Sequence, residues 1–566
     1  MPTLLRSCLL ALTVLLCRAA QAQTPTWQAA AGAGNEQGTG AQAQVYATVA
    51  DASGHAYLAG MFSGTVRFGT TVVSSAGSTD AFVAKWNSLT NTYDWVLPLG
   101  GPGTDRGTAL ALSGTTLYLT GSFTGTTSLG GLPLTSAGQE DGFVAKITDA
   151  GSSAAVTWAR AVGGPTFDGL TGVAVSGSSV YVAGSFTGTA QLGALSLTAT
   201  GSNDVLVAKL ADAGSAASVA WARRAGGTGP DFAQAIAANG ANVYVAGYYS
   251  SGAAEFGGTP LANSSLSTLD SFVTKLTDSG TAGTFAWTQS VNGPGDDLLR
   301  TLAVQGSNVY VAGNYNSATL GAGALTLGSH GGFDLLVAKL VDAGSTASFA
   351  WAYNAGGSGG DTGSGLVAVG SYLFLTGGFT SPTIAFGPTT LTNTSTTSDA
   401  YVAQLTDAGS SASFAYALGA GGAGDDYGIG IGVGGARVYV GGSAGSAARF
   451  GAYTLPASAS GAPAGFVATL TDATVLGTAA ASLVQEVAVF PNPARHRATV
   501  QLPAVPGVAA TVVLTDALGR TCWAHPATVL AARTTLTVPL DHLARGIYYL
   551  HVRAGAHSIT RALGVE

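Results

Sequence analysis

A tryptophan returns along this chain at nearly constant intervals. Trp27, Trp95, Trp158, Trp221, Trp287 and Trp351, with Tyr416 in the seventh place, are separated by 68, 63, 63, 66, 64 and 65 residues. Such a period constrains the fold more than any local signal, because a repeated unit buries its apolar faces against copies of itself. One unit reads WARAVGG, a loop with Asp168, LTGVAVSGSSVYVAGSFTG, a variable stretch, then DVLVAKL and a DAGS-type turn. It carries four strand signals: A at 172–175, B at 180–186, C at 204–210 and D at 219–225. Each is short, rich in β-branched and aromatic residues, and bounded by Gly, Ser, Asn and Asp. With 83 glycines and 2 methionines in 566 residues, the composition favours strands and turns over helices.

Seven such units predict an all-β chain with a seven-bladed β-propeller of four-stranded blades. The register also predicts closure. The chain opens with a lone D strand at Trp27, and its last unit stops after a C strand near Leu470. The N-terminal strand therefore completes the seventh blade. An open solenoid, the rival, calls for capping end units and does not need this complementary truncation. The D-x-F-V-A-K-L run, the Trp strand ending in Gly-Gly, the G-x-x-x-A-V strand and V-Y-V-A-G resemble the SBBP-type β-propeller repeat over residues 27–471. That resemblance implies architecture and a secreted or surface location, and no reaction.

The two ends read differently. Residues 1–22 are expected to be a signal peptide: Arg6, an apolar run at 9–16 too short to span a bilayer, and Ala20-Gln21-Ala22 as the cleavage site. A mature chain starting at Gln23 keeps Cys522 alone, so no intramolecular disulfide is expected. No other run is apolar and long enough for a transmembrane helix. The propeller is assigned to 23–472, a linker to 473–486 and a small Ig-like β-sandwich to 487–566. In the last segment Phe490-Pro491-Asn492-Pro493-Ala494, Asp516-x-x-Gly519-Arg520 and Leu543-x-x-Gly546-Ile547-Tyr548-Tyr549-Leu550 are similar to the C-terminal sorting domain of the type IX (Por) secretion system of Bacteroidota. The resemblance implies export through the periplasm, type IX machinery as a partner, and Pro491, Asn492, Pro493, Gly519, Gly546 and Tyr548 as the sorting motif.

Charge narrows the function. With 22 basic and 29 acidic residues, nothing neutralises a phosphate backbone, which excludes a basic nucleic-acid binder. All five lysines, Lys85, Lys146, Lys209, Lys275 and Lys339, sit at one repeat position. They are expected to pack their stems along the blade and reach water or a carboxylate. Asp80, Asp141, Asp204, Asp270, Asp334 and Asp399 begin strand C, and Asp149, Asp212, Asp278, Asp342, Asp407 and Asp472 sit in C–D turns. Both sets are expected to cap backbone amides. A third set lies between strands D and A: Asp105, Asp168, Asp231, Asp296 (or Asp297), Asp361 and Asp425 (or Asp426). With the B–C connectors, such as 187–203, on the same face, these predict an acidic rim for cations or polar ligands. Turn capping within each blade is the competing expectation.

No catalytic, metal or cofactor constellation is expected. Only His55 and His330 fall in the propeller, in different units, and the two Gly-x-Ser-x-Gly matches at 356–360 and 441–445 lack a following helix. Tyr248, Tyr249, Tyr315 and Phe379 are candidate sugar-stacking residues, set against strand-end packing. The leading expectation is a monomeric, secreted or cell-surface binding or adhesion module with glycan or protein partners and no catalytic activity. The alternatives are an extracellular carbohydrate-active hydrolase or lyase, and a structural surface protein without a specific ligand.

Overall fold

The computed structural model describes residues 25–566, apart from 37–39, 264, 266, 446, 457–462, 473, 476–486, 503–504, 517–518, 531–533, 542 and 555–556. The expected signal peptide and nearly all of the expected linker lie outside the described residues. The rest is strand-rich and propeller-like. Seven antiparallel sheets repeat one four-strand order, A-B-C-D. In sheet 3, for example, these are Asp168–Ser176, Ser179–Phe186, Asp204–Asp212 and Ala217–Ala225. In sheet 7 the D strand is Trp27–Ala33, pairing antiparallel with Ala464–Thr471 from the far end of the repeats.

Strands B and C are apolar on both faces because each sheet is covered by neighbours on both sides. In sheet 3, Val180, Val182, Val205 and Val207 are all fully buried. Strand D is outermost and returns to partial exposure, as in Ala217–Ala225. The innermost strands lie against one another, so the backbone of Gly430 in sheet 7 approaches Ala47 and Thr48 in sheet 1.

A repeated polar latch joins adjacent sheets. The C–D turn Asp of one sheet receives three side-chain donors from the sheet before it. Asp278 accepts from Lys209 Nζ at 2.5 Å, Tyr181 OH at 2.7 Å and Trp221 Nε1 at 2.9 Å. The same trio meets Asp149, Asp212, Asp342 and Asp407. The lysines thus reach carboxylates, as one branch of the expectation held. The turn aspartates also cap a backbone amide two residues on, as Asp278 does for Gly280. The latch changes toward the chain's ends. Gln404 and Tyr416 serve Asp472, and between sheets 7 and 1 the equivalent tyrosine, Tyr439, meets the Ser88 hydroxyl at 2.9 Å, while Tyr93 OH donates to Gly32 O.

The variable B–C connectors are ordered hairpins, such as Thr189–Leu192 with Leu195–Thr198. They bridge to the outer strand of the preceding sheet, as at Gly163–Gln191 and Gly226–Glu255. Their alternating apolar residues decide this: Leu129, Leu192, Phe256 and Phe386 are fully buried. The connectors therefore turn outward over the outer strands, while their first residues meet the D–A aspartates, as Thr187 N–H does Asp168 and Ser251 Oγ does Asp231.

Residues after 486 form a three-stranded and a four-stranded sheet over one core that includes Val500, Val538, Leu514, Leu550 and Leu563. The motif residues have local work. Asn492 accepts from Gly564 N–H and donates to Ala562 O, pinning the last strand. Tyr548 OH donates to Ala544 O, and Gly519 takes a positive φ of 78° in the turn begun by Asp516. Pro491 and Pro493 flank Asn492, and Gly546 starts the strand Gly546–Ala554.

Candidate functional site

The candidate site grows from a defect repeated in every inner strand. Each strand A carries a bulge at its fourth repeat position, where one residue finds no partner on strand B. The skipped residues are Tyr46, Thr108, Thr171, Gln234, Arg300, Ser364 and Ile429. A bulge bends the strand and re-aims the extra side chain. The glycine of V-Y-V-A-G in strand B makes room for it. A Cβ on Gly60, Gly121, Gly184, Gly247, Gly313, Gly377 or Gly442 would overlap the strand A carbonyl beside the bulge. Here the glycine serves close backbone approach.

All seven skipped residues line one cavity of about 730 Å³. Further in, the lining turns apolar, with Leu110, Val173, Ile236, Leu302, Leu366 and Ile431 each 7 or 8 % exposed. The cavity thus has a polar ring above a hydrophobic waist. Thr108 and Thr171 hydroxyls already donate to Leu170 O and Ala233 O, which leaves their lone pairs as acceptors. Tyr46 donates to Gln44 Oε1 at 2.6 Å. Arg300 Nε donates to Asn314 Oδ1 at 2.7 Å. Burial lowers the Arg300 pKa, and Tyr248 partly offsets this. Arg106, two residues before its bulge, also lines the cavity and makes one loose ion pair, with Glu140 at 4.0 Å.

The predicted acidic residues lie elsewhere. Asp105, Asp168, Asp231 and Asp361 are buried, and each accepts the backbone N–H of the glycine four residues earlier. Burial pushes Asp105 up to about 6. Asp296 and Asp425 accept from Leu269 N–H and Ser398 N–H, while Asp297 and Asp426 take the repeat-equivalent buried places. Burial lifts both of these to about 7. None of these aspartates lines the cavity. Tyr249, Tyr315 and Phe379 are fully packed inside. Tyr248 stacks on Phe232 at 5.4 Å, next to Arg300.

Sequence reading missed the ring of skipped residues. A signal was present: a variable residue, polar everywhere but at Ile429, three places after each buried D–A aspartate. Its direction depends on a bulge that only pairing register displays.

Residues 488–566 match the family of secretion system C-terminal sorting domains, which marks the chain for export by type IX secretion to the cell surface or beyond. No curated protein matches the chain. Among solved structures, the WD40 domain of SCAP from fission yeast is similar at 7 % identity and a TM-score of 0.28, covering 79 % of this chain and 98 % of that one. A mutant Trypanosoma rangeli sialidase displaying trans-sialidase activity is similar at 9 % identity and a TM-score of 0.28, covering 80 % and 82 %. At that score neither likeness bears on what this chain does. Among the described residues no helix is long and apolar enough to cross a membrane.

Proposed function

We propose that the seven sheets close into a seven-bladed propeller of the SBBP type, and that it is an exported binding module holding a polar ligand in its axial cavity. The observation that carries this reading is the skipped residue of every inner strand, delivered into one shared cavity. Repetition explains the bulge and its glycine. It does not explain why the skipped positions range over Tyr, Thr, Gln, Arg, Ser and Ile while the positions on either side of them are small or apolar, whereas a surface shaped for a ligand does. The sorting tail supports display on, or release from, the surface of a bacterium of the Bacteroidota type.

The test is a saccharide and small-metabolite array against the purified chain and its Ser364→Trp variant, in which an indole fills the cavity. Ligands retained by the parent and lost by the plugged variant support the reading. Equal retention by both would place binding elsewhere. An enzyme acting on glycosides would need carboxylates facing its substrate; turnover of a polysaccharide panel would establish that alternative.

A further inference from the structure

The charge of the cavity is opposite in sign to the expected acidic rim. Its lining includes two arginines and no aspartate or glutamate. Arg300 has no carboxylate partner among the described residues, and its one hydrogen bond, to Asn314, uses Nε and leaves the terminal nitrogens without a protein acceptor. Arg300 is exposed, and it lines the cavity; an unpaired guanidinium fork in such a place is suited to accept an anion's oxygens. Arg106 belongs to sheet 2 and Arg300 to sheet 5, so positive charge enters the cavity from two well-separated sheets. Between them stand groups suited to hydroxyls: the Ser364 hydroxyl, the Gln234 amide, and the lone pairs of Thr108 and Thr171.

We propose that the cavity takes a carboxylate-bearing sugar, a uronate, with its carboxylate on the Arg300 fork and Arg106 as a second, looser anchor. The inference rests on the reading of this cavity as a ligand site and adds the ligand's class. A planar guanidinium matches the two oxygens of a carboxylate in one plane, and a hydroxyl- and amide-bearing ring matches a polyol. A neutral sugar would leave the Arg300 charge uncompensated.

The experiment titrates the full-length chain by calorimetry with methyl galacturonoside, methyl galactoside and galactose 6-sulfate. The first two differ only in a carboxylate replacing a hydroxymethyl group. The uronoside is expected to bind at least about 10-fold more tightly than the neutral glycoside, the scale of a charged hydrogen bond. Arg300→Gln is expected to erase that difference and Arg300→Lys to restore part of it, while Arg106→Gln weakens uronoside binding less. Arg106→Gln also serves as the test variant if Arg300→Gln does not fold. Equal affinity for uronoside and galactoside, or uronoside binding unchanged in folded Arg300→Gln or, where that variant does not fold, in Arg106→Gln, would overturn the inference. The cavity reading would still stand if Ser364→Trp abolished binding. Preference for the sulfate would replace carboxylate by sulfate recognition and overturn it as well. No binding of any of the three, with Ser364→Trp indistinguishable from parent on the wider array, would overturn both.

Discussion

Replacing Asp278 with alanine is expected to be among the most damaging single changes in the repeats. Its carboxylate is the common acceptor for Lys209, Tyr181, Trp221 and the Gly280 amide. The side chains of Lys209 and Asp278 are only 10 % and 5 % exposed. Removing one partner of a buried ion pair strands the other charge, at a cost of about 3–5 kcal/mol. The indole and phenol donors add about 1–3 kcal/mol each where water cannot replace the lost acceptor. Water reaches part of this edge and the effects are not additive, so the expected loss is about 4 kcal/mol. Asp278→Asn keeps the shape and two acceptor lone pairs, and is expected to lose about 1.5–3 kcal/mol. Urea unfolding followed by tryptophan fluorescence measures both, with Trp221 itself reporting from the latch. A double-mutant cycle with Lys209→Met separates the ion pair from packing. A loss below about 1 kcal/mol for Asp278→Ala, or zero coupling in the cycle, would refute the account of the latch as a buried acceptor shared by three neighbours.

Two carboxylate sets titrate in opposite senses. Against the upward push of burial, hydrogen bonds from Lys, Tyr, Trp and a backbone amide hold Asp212 and Asp278 down at about 2, below the ordinary 3.8. Their stabilisation is complete above 3.8 and is lost as pH falls toward 2. Burial raises Asp105, Asp297 and Asp426 to about 6 to 7, so the folded chain holds protons the unfolded chain has released, and stability declines as pH climbs from 3.8 to 7. The melting temperature is therefore expected to peak near about pH 4–5; calorimetric scans rising steadily to neutral pH would contradict this. Deleting residues 23–33 removes the outer strand paired with Ala464–Thr471 and is expected to lower the melting temperature sharply, and an unchanged melt would count against strand closure. Gly247→Ala places a methyl against the Phe232 carbonyl and is expected to cost about 1–3 kcal/mol or more, seen as a lower urea midpoint. Ser88→Ala, which removes the Tyr439–Ser88 hydroxyl pair between sheets 7 and 1, is expected to cost only about 0.5–1.5 kcal/mol on the same assay.

Strand identity was legible because it is written locally. The alternation and β-branching of Val180–Phe186 and Asp204–Asp212, and the Gly and Asp at their ends, specify four strands per unit whatever surrounds them. The period then implied the complementary ends of the first and last units, and the pairing of Trp27–Ala33 with Ala464–Thr471 follows it. The tail was legible for the same reason, its motif residues each serving a turn or a strand partner. The site was not. Asp105 caps the Gly101 amide four residues back in its own turn, the competing expectation; a short carboxylate reads the same whether it caps a turn or faces outward, and only its burial decides between them.

Residues a few places apart specify the repeated elements and their order, since backbone preference and hydrophobic period act over short stretches of chain. Tertiary structure alone decided which lysine meets which aspartate some 64 to 69 residues away, and that the residue skipped at each bulge points into a common cavity. Those outcomes depend on the registration of one sheet against the next. Packing of whole faces sets that registration, and no single segment encodes it.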